Sequence, residues 1–510
     1  MKVRKFILGR VFITGCILLV ELVWLLLFFT RLVGYSALVS AFFSILSILI
    51  TLYIICKDEN SAYKIGWIVI ISALPLLGGL LYVTFGNKRP SRFLRKKLEL
   101  QAEKNQGMLS QDEQVMEAMH KDNPRMAGEM HYICQKGPYP AWQNTKVTYY
   151  PLGEQMFEAM MEEIEKAEHF IFLEYFILAE GTLWDRMLEA LTRKAAEGID
   201  VRLIYDDVGS LFLLPGEYAS QMEKRGIRCF AFNRFIPVLS LAMNNRDHRK
   251  ILVIDGHTAF NGGMNLADEY ININSPYGHW KDTGVMLKGD AVWNFTVMFL
   301  DMWNAFSKEK DDYAAFRPGI PCPEAQGAPG FVQPFSDSPL DNEPVAENLY
   351  IDILFQAKNY VYIYTPYLII SSEMQNALTL AAKRGVDVRI ITPGIPDKKM
   401  VFRLTRSYYG SLIAAGVRIY EYTPGFVHAK CFACDDIIGV VGTINMDYRS
   451  LYLHFECGTL LYKVPAILDL KKDYLETVEK CRRIEEKDCM HKRLPGSVYT
   501  AVLRVLSPLF

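Results

Sequence analysis

Hydrophobic and polar positions divide this chain into two kinds of material. Up to residue 87 the apolar residues come in long blocks, Val11 to Thr30, Ser36 to Ile55 and Ile65 to Phe85, and Glu21 is the one charge in the first two. Blocks of about 20 residues match a hydrocarbon core of roughly 30 Å when helical. The third block holds Pro75 and Gly78-Gly79, which interrupt a straight helix. From residue 141 onward the pattern changes to short apolar runs, such as Ile251-Leu252-Val253-Ile254 closed by Asp255-Gly256, set between helical stretches. That alternation predicts α/β units with layered sheets.

The pattern also repeats. Ala195 to Ile204 and Ala381 to Ile391 each read as a helix end, a glycine cap and a strand, and Arg225-Gly226-Ile227-Arg228 mirrors Ala415-Gly416-Val417-Arg418. The expected organisation is a membrane region over 1–87, a basic helical linker over 88–140, a first α/β domain over 141–315, a Pro- and Gly-rich linker over 316–344 and a homologous second domain over 345–510. The second domain ends in an amphipathic tail, Val498 to Phe510. That tail and the apolar stretch Phe235 to Leu239 with Leu241 are candidates to rest in the headgroup boundary of a bilayer. Basic residues flank the membrane region, Lys2, Arg4, Lys5 and Arg10 before it and Lys88, Arg89, Arg92, Arg95, Lys96 and Lys97 after it. Two arrangements satisfy the charge bias, and two spans with a bent third segment is preferred over three spans with an external N-terminus.

The chemistry lies in a motif written twice. His248, Lys250 and Asp255 recur as His428, Lys430 and Asp435, and Gly262 and Asn265 recur as Gly442 and Asn445, all at one offset. Strand alternation puts each His and its Lys on one face. Imidazole, ammonium and carboxamide suit a phosphodiester: Lys and Asn bind non-bridging oxygens, and His attacks phosphorus or moves a proton. Two facing copies allow one imidazole to act as nucleophile and the other as acid and then base. Asp255 and Asp435 belong to the motif but sit where a strand turns, and are expected to brace that turn. Neither the nine His nor the ten scattered Cys show metal-ligand spacing, so no metal and no cofactor is expected. A net charge of −1 offers no support for a nucleic-acid surface.

With their flanks, Gly262-Gly263-Met264-Asn265, Trp280-Lys281-Asp282-Thr283 and Gly442-Thr443-Ile444-Asn445-Met446-Asp447, these motifs resemble the bacterial cardiolipin synthases of the phospholipase D superfamily, from about Trp67 to the C-terminus. The resemblance implies transfer of a phosphatidyl group between two phosphatidylglycerol molecules through a phosphatidyl-histidine. The larger basic cluster, Lys88 to Lys97, sets the catalytic side as the cytoplasmic face of a bacterial cell membrane. The resemblance also implies His248 as nucleophile and His428 as general acid and base. Asp282 and Glu456 follow the motif Asn of each half at similar distances, and a carboxylate behind each imidazole fixes its tautomer. In the superfamily these act across the halves, Asp282 for His428 and Glu456 for His248. A hydrolase releasing phosphatidic acid would use the same residues.

Overall fold

A computed structural model describes residues 19–20, 22–23, 26–27, 37–74, 78–86, 90–104, 107–235, 244–308, 310–489 and 494–509. The chain divides into two compact units: residues 1–90, 234–245 and 501–510 form one, and residues 91–233 and 246–500 the other.

In the smaller unit the second apolar block is the helix Ala37–Cys56. Its outward residues are large and apolar, Phe42, Ile45, Ile48 and Leu52 all being more than half exposed. The third block is two helices, Ser61–Ala73 and Gly78–Phe85, on either side of Pro75. Asn60 caps the first by accepting the Ala62 N–H at 3.0 Å. Trp67 joins the helices, with its ring 5.3 Å from Tyr82 and 6.5 Å from Tyr63, over a core that includes Ile50, Ile54 and Ile71. Ala41 to Cys56, the part of the long helix described to its side chains, rises about 24 Å. Among the described residues no helix is long and apolar enough to cross a membrane. The first apolar block lies mostly outside the described residues, as do Ile236 to Leu239 and Leu241.

The larger unit holds two sheets built to one plan. In the first, strands run in the order Thr145–Tyr150, Gly284–Gly289, Thr258–Gly262, Lys250–Ile254, Phe170–Tyr175, Asp200–Asp206, Arg228–Phe232. In the second the corresponding order is Phe331–Asp337, Glu456–Tyr462, Ile438–Gly442, Cys431–Cys434, Tyr360–Tyr364, Asp387–Pro393, Arg418–Tyr422, with Cys481–Arg483 added at the edge. Three parallel strands joined by helical crossovers pair with an antiparallel set in each. The apolar runs explain this, since the central strands are buried on both faces. The repeated glycines sit where a helix ends in a left-handed turn, Gly198 at φ +93° and Gly385 at φ +95°.

Two expected boundaries move. Phe331–Asp337, inside the expected 316–344 linker, is a buried edge strand of the second sheet, paired with Glu456–Tyr462. Its Pro334 hid it from a reading by pattern, yet an edge strand tolerates a missing donor. The 88–140 segment is helical as expected, Arg92–Lys104, Glu113–Asp122 and Pro124–Lys136. Rather than a loose tether, it is packed: Met119, Met126, Met130 and Ile133 are fully buried, and Gln333 donates to the Met130 and Tyr139 carbonyls at 2.9 and 2.8 Å.

Candidate active site

Main-chain bonds between the two halves repeat in one pattern. The His248 N–H donates to the Phe455 carbonyl at 2.9 Å, and the His428 N–H to the Lys281 carbonyl at 2.8 Å. On the first side Phe455 returns a bond to the Arg246 carbonyl, and on the second Gly425–Val427 pairs in parallel with His279–Lys281. The residue after each accepting carbonyl is a carboxylate. Each motif histidine is thereby set against an acid of the other half: His248 Nδ1 lies 2.9 Å from Glu456, and His428 Nδ1 lies 2.6 Å from Asp282. Both acids are fully buried, and both imidazoles nearly so.

The lysines complete the cluster. Lys250 Nζ donates one N–H to the His248 carbonyl at 2.6 Å, and Lys430 does the same to His428. Two N–H groups of each ammonium then remain to bind an anion. Gly262 and Gly442 let the chain pass close behind, because a Cβ there would stand 2.4 Å from the Thr283 oxygen or 2.5 Å from the Cys457 oxygen. Asn265 is anchored, accepting the Ile177 N–H at 3.0 Å and donating to the Tyr270 hydroxyl at 2.6 Å. Asn445 is buried, and among the described residues nothing donates to its Oδ1.

Asp255 and Asp435 stand apart from this cluster. Each takes a left-handed conformation, φ +52° and +50°, and accepts three backbone N–H groups: Glu168, His169 and Phe170 at 2.7–2.8 Å, and Lys358, Asn359 and Tyr360 at 2.7–2.9 Å. Seven residues of strand and turn, roughly 20 Å, separate each from its His. Each thereby ties the turn that ends its strand to the start of the neighbouring strand.

Burial and crowded positive charge set the electrostatics. Burial lowers the His248 basicity well below the ordinary imidazole range, helped by Lys250, His454, Lys430 and His428. Burial and Lys430 push His428 down to about 4 against the pull of Asp282. Lys250 falls to about 8 and Lys430 to about 7, again chiefly from burial. The acids differ. Burial raises Glu456 well above the usual carboxylate range, whereas His428 and Lys430 outweigh burial at Asp282 and hold it low. A phosphodiester entering such a site would relieve the crowding and favour the protonated forms of the lysines and one imidazole.

One residue at this site escaped the sequence reading. His454, in the bend two residues before Glu456, has its ring centroid 5.4 Å from that of His248 and its Nδ1 3.5 Å from Glu456 Oε1. The i, i+2 spacing to Glu456 was the available signal. Only the crossing of the halves brings His248 to both, so the spacing alone did not mark a cluster.

Comparisons with known proteins agree with this geometry. Residues 160–286 and 350–478 match the family model described as cardiolipin synthase, PLD-like domain, and residues 45–87 match one described as phospholipase D-nuclease N-terminal. The chain is 33% identical over 477 residues to a cardiolipin synthase of Geobacillus kaustophilus, covering 91% of this chain and 92% of that one. It is 34% identical over 481 residues to a cardiolipin synthase of another Geobacillus strain, covering 93% and 94%. A Streptococcus mutans protein described only as uncharacterized is 45% identical over 463 residues, 90% of this chain and 99% of its own. Among solved structures, the phosphatidylserine synthase of Haemophilus influenzae superposes with TM-score 0.56 over 75% of this chain and 99% of its own at 15% identity, a likeness of fold.

Proposed function

Because the chain belongs to the bacterial cardiolipin synthases of the phospholipase D superfamily, we propose that it transfers a phosphatidyl group from one phosphatidylglycerol to another, giving cardiolipin and glycerol. The crossed histidine–carboxylate pairs carry this reading, since they set a nucleophile and an acid from separate halves where both lysines and the two imidazoles act on one another. In the first step His248 Nε2 attacks phosphorus, the P–O bond to the headgroup glycerol breaks, and His428 gives that oxygen its proton. In the second, the hydroxyl of another phosphatidylglycerol headgroup loses its proton to His428 and attacks the phosphatidyl-histidine, freeing His248. Lys250, Lys430, Asn265 and Asn445 hold the non-bridging oxygens, and the fixed N–H donors count most where charge builds up in the transition state. The unequal acids support the assignment. Burial disfavours charge both on His248 and on the Glu456 carboxyl behind it, which suits a neutral nucleophile, while Asp282, held low, favours a protonated His428.

Two lipid substrates require a membrane surface. The apolar blocks at 11–30 and 36–55 and the basic clusters that flank them support an enzyme at the cell membrane, read from the sequence as two spans with a bent third segment and the catalytic unit on the cytoplasmic side. The exposed apolar face of Ala37–Cys56 supports lipid contact. So does the grouping of 501–509, part of the expected amphipathic tail, with the described N-terminal helices.

The test is reconstitution of the full chain in vesicles of phosphatidylglycerol with radiolabelled headgroup. Cardiolipin and free glycerol in equal amounts are expected. Phosphatidic acid as the main product would replace transfer by hydrolysis, and no turnover of either kind would overturn the proposal.

A further inference from the structure

Glu456 lies between two imidazoles. His248 Nδ1 is 2.9 Å from its carboxylate and His454 Nδ1 is 3.5 Å from Oε1, and one donor atom from each of the three residues fits within a 4.8 Å span. His454 is only 8% exposed, and among the described residues neither of its ring nitrogens has a hydrogen-bond partner. An unpaired buried polar group carries a desolvation cost that a ligand there would offset. In the other half the corresponding place is held by Trp280, whose ring centroid lies 5.3 Å from that of His428. An indole fills the same space and offers no lone pair, so the feature belongs to one half only.

We propose that His248, His454 and Glu456 form a binding site for a single divalent transition-metal ion of the zinc type, and that an ion held there stops phosphatidyl transfer. Two imidazole nitrogens and one carboxylate oxygen are a donor set that zinc accepts, with its fourth position left open. Bonds of roughly 2.1 Å in a tetrahedron put the donors about 3.4 Å apart. The separations of 2.9 and 3.5 Å lie on either side of that value, so small side-chain rotations suffice to close the site. Cation chemistry meets opposition here, because Lys250, Arg246, Arg449 and Lys398 all act on His454. The site is accordingly weak and reversible, unlike a structural zinc centre.

Inhibition follows from which atoms the ion takes. Coordination takes the His248 Nδ1 lone pair and an ionised Glu456 carboxylate, so any proton on the carboxyl leaves to solvent and the ring's own proton shifts from Nδ1 to Nε2. Nε2 then faces the phosphate carrying a hydrogen and no lone pair, so it cannot attack phosphorus. His428 and Asp282 are untouched.

The experiment uses metal-free full-length protein in nanodiscs, with zinc and cobalt(II) as probes. Metal content is read apart from lipid chemistry, so this proposal and the transfer reading fail independently. One zinc retained per chain in equilibrium dialysis against micromolar free zinc is expected, with visible cobalt bands of tetrahedral intensity and a loss of transfer that EDTA reverses. His454→Phe should weaken zinc binding by at least about tenfold and abolish the cobalt bands. His454→Asn, which keeps polarity without an imidazole, should do the same if the Phe variant unfolds. Equal zinc retention by parent and variants, or no retained metal in the parent, overturns the proposal.

Discussion

The two halves carry nearly the same strand order and the same crossed backbone bonds, yet their histidines sit in different surroundings. Behind His428 stands Asp282, paired at 2.6 Å and close to little else except the Thr283 N–H at 2.9 Å. Space for it comes from Gly263, where a Cβ would fall 2.1 Å from the Asp282 carboxylate. Behind His248 stands Glu456, a residue one methylene longer, which also receives the Thr443 hydroxyl at 2.5 Å and borders His454. Thr443 occupies the place of Gly263, and His454 that of Trp280. Duplication supplied a symmetric frame, and three substitutions on it separate an imidazole suited to attack from one suited to carry a proton.

The sharpest break of that comparison is removal of each imidazole. His248→Ala and His428→Ala should each lower transfer by about 10³-fold or more. Only the second should recover on a lipid whose leaving group needs no proton, such as a nitrophenyl phosphodiester. The same two variants differ in trapping: quenched His428→Ala should retain a phosphorylated His248, detectable by mass spectrometry, and His248→Ala should show no adduct. Adduct on His428 in the His248 variant would exchange the roles.

Asp282→Asn and Glu456→Gln test the acids. Loss of the charge that steadies protonated His428 should cost on the order of 100-fold in kcat. Glu456→Gln should cost nearer tenfold, because burial already disfavours charge on that carboxyl and an amide oxygen can still accept from Nδ1. Equal losses, measured as kcat on vesicles, would show that the two pairs do the same work.

Much of this difference was invisible in sequence for a physical reason. The strands, their repeat, the paired motifs and the two carboxylates were legible because each follows from local periodicity or from spacing within one half. Phe331–Asp337 was not, since its Pro334 breaks the expected pattern and only the neighbouring strand Glu456–Tyr462 makes it a strand. His454 was not, because its partner His248 is remote in the chain. Gly263 and Thr443 were visible as letters, but the cavity at one and the hydroxyl bond at the other appear only when the halves cross.

The turn braces should behave alike in both halves, which checks that the divergence is confined to the site. Asp255→Ala and Asp435→Ala each leave three backbone N–H groups without their acceptor, at about 1–3 kcal/mol of stability. Thermal unfolding should report similar losses, and residual kcat per folded molecule should stay near that of the parent. A kcat loss rivalling that of Asp282→Asn would return these carboxylates to the reacting set.

The smallest expected effect is a displacement of the alkaline limb of the pH profile, and it separates the two lysines. In the free enzyme Lys430 titrates near 7 and Lys250 near 8, both lowered by burial, with Lys250 itself adding to the depression at Lys430. Phosphate binding needs the charged form, so kcat/KM should fall as pH rises first through 7 and then through 8. His248 must be neutral to attack, and its depressed basicity moves the acid limb below the ordinary imidazole range. Once lipid is bound its anionic oxygens favour protonated lysine, so the alkaline limb of kcat should lie higher than that of kcat/KM. Lys430→Arg keeps a charge that cannot be titrated away. Whatever activity it retains should lose the step near 7 and keep the step near 8, and Lys250→Arg should do the converse. If both variants kept an unshifted profile, the alkaline limb would belong to neither lysine, and the two halves would differ only in their acids.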